Sequence, residues 1–227
     1  MLSSSIKARL RRLLGRDPDF RPNLCYGQDG EDLILDRLLD RQTVGFYVDV
    51  GAHHPVRFSN TYLFYKRGWR GINIDAQPGS MLAFQKCRPR DINLEFGVDI
   101  ENGALPYFQF NEPALNTFNE AEARLKDEPP YRLIGQVIVP VFRLDEVLAQ
   151  HAPKQGGIDF LTVDVEGKDL LVLQSNDWQR FRPRFVLAET LRTELLDMGN
   201  CPVVIFMQSQ GYKPVAKAYN TTFFERG

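Results

Sequence analysis

The amino-acid sequence predicts an α/β fold: a seven-stranded, mostly parallel sheet with helices on both faces and a C-terminal β-hairpin. Two observations predict this fold. Short apolar segments alternate with helical segments of about ten residues, which implies right-handed crossovers between parallel strands. The last two apolar segments, YKPVAKA and TTFFER, are separated only by Tyr219 and Asn220, so we expect them to pair as a hairpin with one antiparallel partner in the sheet.

Each element in the first part of the chain has a local signal. Apolar residues recur on one side of a helix at 30–40, and Ser59 and Gly68 mark the start and the end of a second helix. Short apolar runs bounded by these helices or by Gly51 predict strands. In chain order, the elements are a helix at 30–40, a strand at 46–50, a helix at 59–68, a strand at 71–75, a helix at 81–87 and a strand at 91–95.

The alternation lapses between about 100 and 143, which we interpret as a strand-rich insertion over one end of the sheet. Strands at 105–111 and 136–142 flank a polar stretch that ends in two prolines. The alternation then resumes with a helix at 143–150, a strand at 159–165, a helix at 168–175, a strand at 184–189, a helix at 201–210 and the hairpin. Residues 21–227 are therefore predicted to form a single domain that carries this insertion.

Residues 1–20 differ in character from the domain that follows. Residues 1–16 carry five basic side chains and no acid, and their apolar residues fall on one face of a helix. The segment is therefore predicted to be a basic amphipathic helix. It either packs on its own domain or docks on a partner or an anionic membrane surface, which would give a peripheral contact at the inner face of the membrane.

The composition argues against several classes of protein. The formal net charge of −1 provides no basic field that would attract nucleic acid. No apolar stretch reaches the roughly 18 residues that a membrane span needs. The three cysteines are widely spaced and form no C-x-x-C pair, which argues against a disulfide framework or a zinc site and predicts a reduced, cytoplasmic protein.

The segment VDVGAHHP ends the first predicted strand of the sheet, and ligands bind beyond the carboxyl ends of such strands. A dinucleotide-binding loop has three glycines in the pattern G-x-G-x-x-G, because backbone and helix must approach a pyrophosphate. This loop has only Gly51. The next strand ends in Asp75, whose carboxylate can accept hydrogen bonds from a ribose diol. One glycine and a ribose-binding acid fit a nucleoside without a pyrophosphate, of which S-adenosylmethionine is the common case.

The residues predicted to bind S-adenosylmethionine lie at the ends of the first four strands of the sheet. Asp49 orients the glycine loop or holds the amino group of the cofactor, directly or through water. Gln77 lies on one side of the adenine, and Val98 and Asp99 lie on the other. The full predicted set is Asp49, Gly51, Ala52, Asp75, Ala76, Gln77, Val98, Asp99 and Asp164.

Five segments in a fixed order resemble the FkbM-type methyltransferases: VDVGAHHP, INIDAQP, LNTF, LTVDVEGKDLLVL and FVLAET. The resemblance covers about 26–225 and is most specific in the spacing of VDVEG from INIDAQP. It implies a class I, Rossmann-like S-adenosylmethionine-dependent O-methyltransferase. The family methylates hydroxyls on macrolides and sugars, and many members accompany bacterial surface-polysaccharide genes. The implied acceptor is therefore a glycan, a glycolipid or another hydroxylated small molecule. The family often has Asn where this chain has His53.

Methyl transfer to a hydroxyl needs a base, because an alcohol is a poor nucleophile until its proton begins to leave. Three carboxylates, Asp164, Glu166 and Glu189, follow the fourth and fifth parallel strands beside the expected methyl position. Asp164 and Glu166 point to the same side of an extended chain, although Asp164 could instead cap the following helix. His53 is the alternative base, whereas His54 shapes the turn.

Two further sets of polar residues belong to the predicted site. The sequence permits a divalent metal ion, held by Asp164, Glu166 and a histidine, but no tight ligand spacing requires one. Residues that can line the substrate side, or that are simply polar residues enriched at helix N-termini, are Tyr26, Gln28, Glu31, Asp32, Asn60 and Thr61.

Two other functions compete with methyl transfer. A nucleotide-dependent oxidoreductase can use the same sheet, but the missing G-x-G-x-x-G pattern argues against it. A non-enzymatic cofactor-binding or scaffold protein would keep the glycine loop but would need no acids at 164, 166 and 189. The sequence therefore favours an enzyme that methylates a hydroxyl.

Overall fold

A computed structural model describes residues 23–155 and 157–227, so the predicted basic helix at 1–20 lies outside the described residues. The strands are β1 (Phe46–Val50), β2 (Arg70–Asp75), β3 (Ile92–Glu95), β4 (Gly97–Val98), β5 (Gly103–Phe110), β6 (Leu133–Phe142), β7 (Phe160–Val163), β8 (Phe185–Glu189), β9 (Tyr212–Ala218) and β10 (Thr221–Arg226). The helices are α1 (Glu31–Leu38), α2 (Tyr62–Lys66), α3 (Met81–Cys87), α4 (Glu120–Lys126), α5 (Leu144–His151), α6 (Asp169–Gln174) and α7 (Pro202–Ser209).

Seven of the strands form one sheet, in the order β3-β2-β1-β7-β8-β10-β9. The first five of these are parallel, and β10 runs antiparallel to both of its neighbours. This architecture confirms the predicted α/β fold with its C-terminal hairpin. The strand order reverses between β1 and β7, so a crevice is expected beyond the carboxyl ends of these two strands.

Apolar side chains bury both faces of the sheet. Strands β7 and β8 are buried along their whole length, as expected for central parallel strands that are covered on both sides. One face packs against α5, α6 and α7, and the other packs against α1 and α2. In the described part of the chain, no helix combines the length and the apolar character that crossing a bilayer requires.

The segment between β3 and α5, where the sequence predicts an insertion, forms a second sheet of three strands in the order β4-β6-β5. β5 and β6 pair as antiparallel strands along most of their length. Between them lie a 3-10 turn at Pro113–Leu115 and helix α4. Helix α4 was not predicted from the sequence, although Asn119 is a strong N-cap residue and its side chain accepts hydrogen bonds from the backbone of Ala121 and Glu122.

One predicted helix begins later than expected. The helix predicted at 59–68 is observed only from Tyr62 to Lys66. Ser59 still contacts the start of this helix, because the Ser59 hydroxyl accepts a hydrogen bond from the backbone N–H of Tyr62 at 3.2 Å. The three residues before the helix extend the loop that follows β1, and this loop borders the crevice.

Candidate functional site

Two cavities lie beyond the carboxyl ends of the parallel strands. The first has a volume of about 330 Å³ and lies above β1, β2 and β4. The second has a volume of about 260 Å³ and lies above β7 and β8, against the N-terminal end of α1. The residues that line both cavities are Gly51, His53, Ala114, Asp164 and Glu166. A ligand in one cavity would therefore meet a ligand in the other at these five residues.

The first cavity is mainly apolar, with a few polar groups at the ends of its strands. The second sheet contributes to its wall through Tyr107 and Phe118, whose rings lie 4.7 Å apart. The other apolar side chains that line it include Val50, Ile74, Ala76, Ala83, Phe96 and Val98. An apolar cavity with few, convergent polar groups is the usual form of a small-molecule site.

Asp75 is the buried carboxylate of this first cavity. Its two oxygens accept hydrogen bonds from the backbone N–H groups of His53, at 2.7 Å, and Gln77, at 2.8 Å. Burial raises the pKa of Asp75, and these backbone hydrogen bonds oppose the rise. A carboxylate has about four acceptor positions, so Asp75 can hold the two loops together and still accept hydrogen bonds from a ligand.

Six of the nine predicted cofactor-binding residues line the first cavity: Gly51, Asp75, Ala76, Gln77, Val98 and Asp164. The other three lie outside its lining. Asp49 accepts a hydrogen bond from the Thr61 hydroxyl at 2.7 Å, and burial raises its pKa to about 6. Asp99 accepts a hydrogen bond from the Lys168 ammonium at 2.6 Å. Ala52 packs under the loop in a small apolar cluster.

A buried arginine that the sequence analysis missed fixes the loop after β1. The Arg88 side chain is fully buried and donates hydrogen bonds to the Pro55 carbonyl and to the hydroxyls of Ser59 and Thr61. Because Thr61 in turn donates to Asp49, the end of β1 and its loop form one connected network. Arg88 follows α3 and has no distinguishing sequence signal, since a cation at the end of a helix is usually on the surface.

Gly51 is required by a contact within the chain. Its backbone φ of +85° lies in the left-handed region, and a Cβ atom there would lie 1.7 Å from the backbone oxygen of Asp164. In the sequence, this glycine is predicted to belong to the cofactor site. The structure adds that only glycine lets the loops after β1 and β7 touch each other.

The three predicted catalytic carboxylates meet at the second cavity. Asp164, Glu166 and Glu189 each offer one oxygen atom, and these atoms lie within 4.8 Å of one another. Glu189 is only 8% exposed, and its Oε2 has no hydrogen-bond partner among the described residues. A buried carboxylate without a partner is costly unless it is protonated or bound, so this oxygen is a candidate for contact with a ligand.

The carboxylates of this cluster resist ionisation to different degrees. Enclosure by protein atoms, and then the charges of Glu166 and Asp169, raise the pKa of Asp164 well above its usual range. Burial, and then the charge of Asp164, raise the pKa of Glu189. Asp164 is nevertheless exposed to the two open cavities. Glu189 is the more buried side chain of this pair, so burial favours its neutral form more strongly.

Glu166 belongs to the cluster for a reason that the sequence analysis did not foresee. β7 ends at Val163, so Asp164 and Glu166 do not share one side of an extended strand. Glu166 has a φ of +55° in a tight turn, and Thr117 donates a hydrogen bond to its backbone oxygen at 2.8 Å. The carboxylate of Glu166 forms an ion pair with Lys126, which α4 supplies. The insertion therefore holds this turn against the cluster.

Asp164 does not cap α6, which was the alternative role considered for it: the N-cap residue is Lys168, and its side chain makes no cap hydrogen bond. Asp169 is buried at the start of α6, and its carboxylate accepts hydrogen bonds from the backbone N–H groups of Val165 and Gly167, at 3.3 and 3.2 Å. Asp164 is therefore free of capping and faces the cavities.

The two adjacent histidines have different roles. His53 lines both cavities, and its buried Nε2 has no hydrogen-bond partner among the described residues. Burial, and then the charge of Arg57, lower the pKa of His53, which favours the neutral imidazole. His54 instead accepts hydrogen bonds at Nδ1 from the backbone of Val56 and Arg57. His54 shapes the turn, as the sequence predicts, and His53 faces the site.

His53 and Glu166 also share an unusual backbone conformation. Their φ angles are +53° and +55°, and residues other than glycine rarely adopt such angles, which cost on the order of 1–3 kcal/mol. Both residues lie where the two cavities meet. Strain held at such a position is often part of a working site.

The second cavity is polar. Of the residues predicted for the substrate side, Gln28, Glu31 and Asn60 line it, whereas Tyr26, Asp32 and Thr61 do not. Thr61 belongs to the Arg88 network, and Asp32 accepts a hydrogen bond from the Tyr26 backbone. The polar lining residues that the sequence analysis missed are Asp29, Lys126, Asn220 and Thr221. The last two lie at the turn of the hairpin, so the antiparallel end of the sheet completes this cavity.

The carboxylate cluster offers oxygen ligands of the kind that Mg²⁺ or Ca²⁺ prefers. The metal site that the sequence permits would include a histidine, whereas the structure groups Glu189 with Asp164 and Glu166. Lys126 already places a positive charge on Glu166, and Glu189 can hold a proton. These two groups reduce the negative charge of the cluster without a metal ion.

Known proteins resemble this chain at the level of a family profile and of a solved structure. A profile of the Methyltransferase FkbM domain matches residues 49–214, which include the ends of strands β1, β2, β7 and β8. No curated protein matches the chain. Among solved structures, a TehB-like SAM-dependent methyltransferase from Corynebacterium glutamicum ATCC 13032 Kitasato is similar over 98% of this chain and 96% of its own, with 10% sequence identity and a TM-score of 0.44.

Proposed function

Because the chain belongs to the FkbM family of methyltransferases, we propose that it transfers a methyl group from S-adenosylmethionine to a hydroxyl of a sugar in a surface glycan or glycolipid. The observation that carries this proposal is the meeting of two unlike cavities at His53, Asp164 and Glu166. Two substrates can occupy such cavities separately and react where they touch.

The first cavity suits the nucleoside part of S-adenosylmethionine, which supplies an activated methyl group on a sulfonium ion when bound. In this proposal, Asp75 accepts hydrogen bonds from the ribose hydroxyls. Ile74, Ala83 and Phe96 provide apolar walls for a flat base. The lining holds three carboxylates and one arginine, which disfavours the pyrophosphate of a dinucleotide and therefore the oxidoreductase alternative.

The second cavity suits a polyhydroxylated acceptor. Its lining amides and hydroxyls, on Gln28, Asn60, Asn220 and Thr221, can exchange hydrogen bonds with several hydroxyls of a sugar. Its carboxylates disfavour an acceptor whose reacting group is itself an anion, since like charges repel in a partly buried site.

We assign the base to Asp164. It lines both cavities, and its raised pKa increases its affinity for a proton. In this scheme Asp164 would accept the hydroxyl proton as the oxygen bonds to the methyl carbon and the methyl–sulfur bond breaks, which would leave the cofactor as its neutral demethylated product. Glu189 keeps its own proton and serves as a hydrogen-bond donor in the site. Glu166, which is paired with Lys126, raises the pKa of Asp164 through its charge. The neutral imidazole of His53 is the competing base.

The first test measures binding by calorimetry with S-adenosylmethionine, its demethylated product and NAD. We expect binding of the first two and none of NAD. The second test follows transfer of labelled methyl to glycosides with free hydroxyls, with amines and carboxylic acids as control acceptors. Transfer only to the control acceptors would contradict the hydroxyl assignment, and failure to bind S-adenosylmethionine would contradict the whole proposal.

We expect turnover to continue in excess EDTA, since Lys126 and a proton already offset the charge of the cluster.

We further propose that the reaction takes place in the cytoplasm, with residues 1–16 bringing the enzyme to lipid-linked acceptors at the inner membrane face. The five basic side chains of this segment could each add about 1 kcal/mol of attraction to an anionic surface. The full chain should then co-sediment with anionic vesicles at low salt, and a chain shortened to begin at Asp17 should not. Equal behaviour of the two chains would refute this role.

A further inference from the structure

A third cavity lies at the opposite edge of the sheet from the reaction site. Its volume is about 640 Å³, and it is lined by the end of α5, the segments that precede β7 and β8, and Arg226 near the end of β10. These are the amino ends of the parallel strands. The strands are four or five residues long, so at about 3.3 Å per residue the two sites lie roughly 13–17 Å apart.

Among the described residues, the charged side chains that line this cavity are all basic: Lys154, Arg180, Arg182 and Arg226. The chain as a whole has 28 basic and 29 acidic residues, so this segregation of charge is local. The ion pairs near this edge use other cations: Arg184 with Asp40, and Lys213 with Glu225. Within the described residues, the four cations of the cavity have no carboxylate partner.

Contacts with the backbone and with rings orient the arginines. Arg226 donates a hydrogen bond from Nη1 to the Arg182 carbonyl at 3.0 Å, and Arg182 donates from Nη2 to the Gln210 carbonyl at 3.3 Å. The Arg180 guanidinium lies 4.7 Å from the centre of the Phe181 ring. A guanidinium has five N–H donors, so each arginine keeps most of its donors for a ligand.

The floor of the cavity is apolar. Leu148 and Ile158 are buried side chains of the core, and Phe181 is half-buried. A concave site of this size falls within the usual range of small-ligand pockets, about 300–1,000 Å³. A broad, convex basic surface would favour nucleic acid, but this charge is concentrated in one concavity on a chain whose formal net charge is −1.

We propose that this cavity binds a phosphorylated ligand. The guanidinium forks match the geometry of phosphate oxygens, and the apolar floor accommodates the uncharged part of the ligand. Two sources supply this chemistry: a soluble phosphate ester or diphosphate, and the headgroup of an anionic phospholipid. A competing explanation is that the carbonyls at the C-terminal end of α5 attract nearby cations, because a helix C-terminus carries partial negative charge. That explanation requires no ligand.

The test compares the full wild-type chain with Lys154→Gln/Arg180→Gln. Both side chains are exposed and make no side-chain hydrogen bond to a described residue, so the double variant should fold. The matched control, Lys86→Gln/Arg132→Gln, removes one exposed lysine and one exposed arginine outside the cavity. Pyrophosphate is the soluble probe, titrated by calorimetry and by thermal unfolding at constant ionic strength. We expect binding by wild type and control, and at least tenfold weaker binding by the cavity variant.

A second arm of the test separates the two sources. The same chains are sedimented with vesicles of phosphatidylcholine containing 30% phosphatidylglycerol, and with phosphatidylcholine alone. Binding to the anionic vesicles that only the cavity variant loses supports a headgroup. Pyrophosphate binding without such vesicle binding supports a soluble ligand. If the wild type binds neither probe, or if the cavity variant binds both as well as the control does, the proposal is wrong. These readouts do not involve methyl transfer and are independent of the proposed function.

Discussion

The two cavities at the carboxyl edge of the sheet share five residues but differ in what surrounds them. The first is walled by apolar side chains and by the second sheet, and its buried carboxylate, Asp75, is engaged by two backbone N–H groups. The second is lined by charged and amide side chains, and its buried carboxylate, Glu189, has one oxygen without a partner among the described residues.

This difference indicates a division of labour. The residues of the first cavity come from the ends of β1, β2 and β4, where satisfied hydrogen bonds fix the shape of a binding site. The residues of the second cavity come from the ends of β7 and β8, from α4 and from the hairpin turn, where unsatisfied groups remain available for chemistry. Substitutions in one cavity should therefore change cofactor affinity, and substitutions in the other should change turnover.

The largest expected effect is on turnover, from Asp164→Asn. Asparagine keeps the size of the side chain but cannot accept the hydroxyl proton, so kcat should fall by about 100- to 10,000-fold, the usual range for loss of a general base. S-adenosylmethionine affinity, measured by calorimetry, should stay within a few fold. Asp40→Asn, an exposed substitution of the same kind, is the control. If Asp164→Asn keeps wild-type turnover, the base is His53 instead. A loss of turnover of about 100- to 10,000-fold in His53→Asn would then confirm that assignment.

The second effect is on cofactor affinity, from Asp75→Ala. Loss of charge-assisted hydrogen bonds to the ribose should weaken S-adenosylmethionine binding by about ten- to a hundredfold. Because Asp75 also accepts hydrogen bonds from the backbone of His53 and Gln77, Asp75→Asn is a second variant that keeps one acceptor oxygen. Glu95→Gln, at the end of the neighbouring strand β3, is the control. Full affinity in both folded Asp75 variants would remove this residue from the cofactor site.

Much of the first cavity could be predicted from the sequence, because its residues lie at strand ends. A short apolar run that stops at Gly51 or Asp75 indicates both the strand and the edge at which the side chain emerges. The observed strand order then places these ends side by side. The sequence alone does not show that Asp49 and Asp99 lie outside this lining. The direction in which a side chain points at the end of a strand depends on local turns, which the pattern does not encode.

The second cavity was less predictable because its parts come from distant segments. Lys126 and Glu166 are 40 residues apart, and α4 lies within a stretch that is polar throughout and lacks a strong apolar stripe. Asn220 and Thr221 belong to a hairpin turn whose place beside β8 becomes evident only in the folded sheet. The carboxylates themselves were predictable, but the turn that brings Glu166 to them has a left-handed backbone that residues other than glycine rarely adopt.

The third effect is a shift in the pH dependence of turnover. The base must be ionised, and the pKa of Asp164 is raised by enclosure and by the charge of Glu166, so activity should rise with pH through a value above the usual carboxylate range. Glu166→Gln removes that charge and releases Lys126, and both changes favour ionised Asp164. The rising limb of kcat against pH should therefore move down by about one pH unit.

Glu120→Gln is the matched control for this shift, because it removes an exposed carboxylate from the same helix that carries Lys126. Its pH profile should coincide with that of wild type. If the rising limb of kcat against pH stays in place in Glu166→Gln but disappears in His53→Asn, His53 is the titrating base.

The smallest expected effect is on stability, from Glu189→Gln. An unfolded chain releases the proton of a glutamate above about pH 4.3, whereas burial and the charge of Asp164 raise the pKa of Glu189 in the folded protein. Folding above that pH therefore requires proton uptake, and its cost grows as pH rises toward the folded-state pKa. Glutamine imitates the protonated side chain and avoids this cost, so turnover should fall by no more than about tenfold while the protein gains stability.

Thermal unfolding at pH 5 and pH 8 checks the sign of this effect. The Tm of Glu189→Gln should exceed that of wild type by more at pH 8 than at pH 5, and a chain of this size changes Tm by about 2–4 °C for each kcal/mol. Glu101→Gln, an exposed substitution, should show no such pH dependence. A Tm advantage equal at both pH values, or a Tm deficit that grows with pH, would mean that Glu189 is ionised in the folded protein. The proton would then belong to Asp164, and the assignment of the base would be reversed.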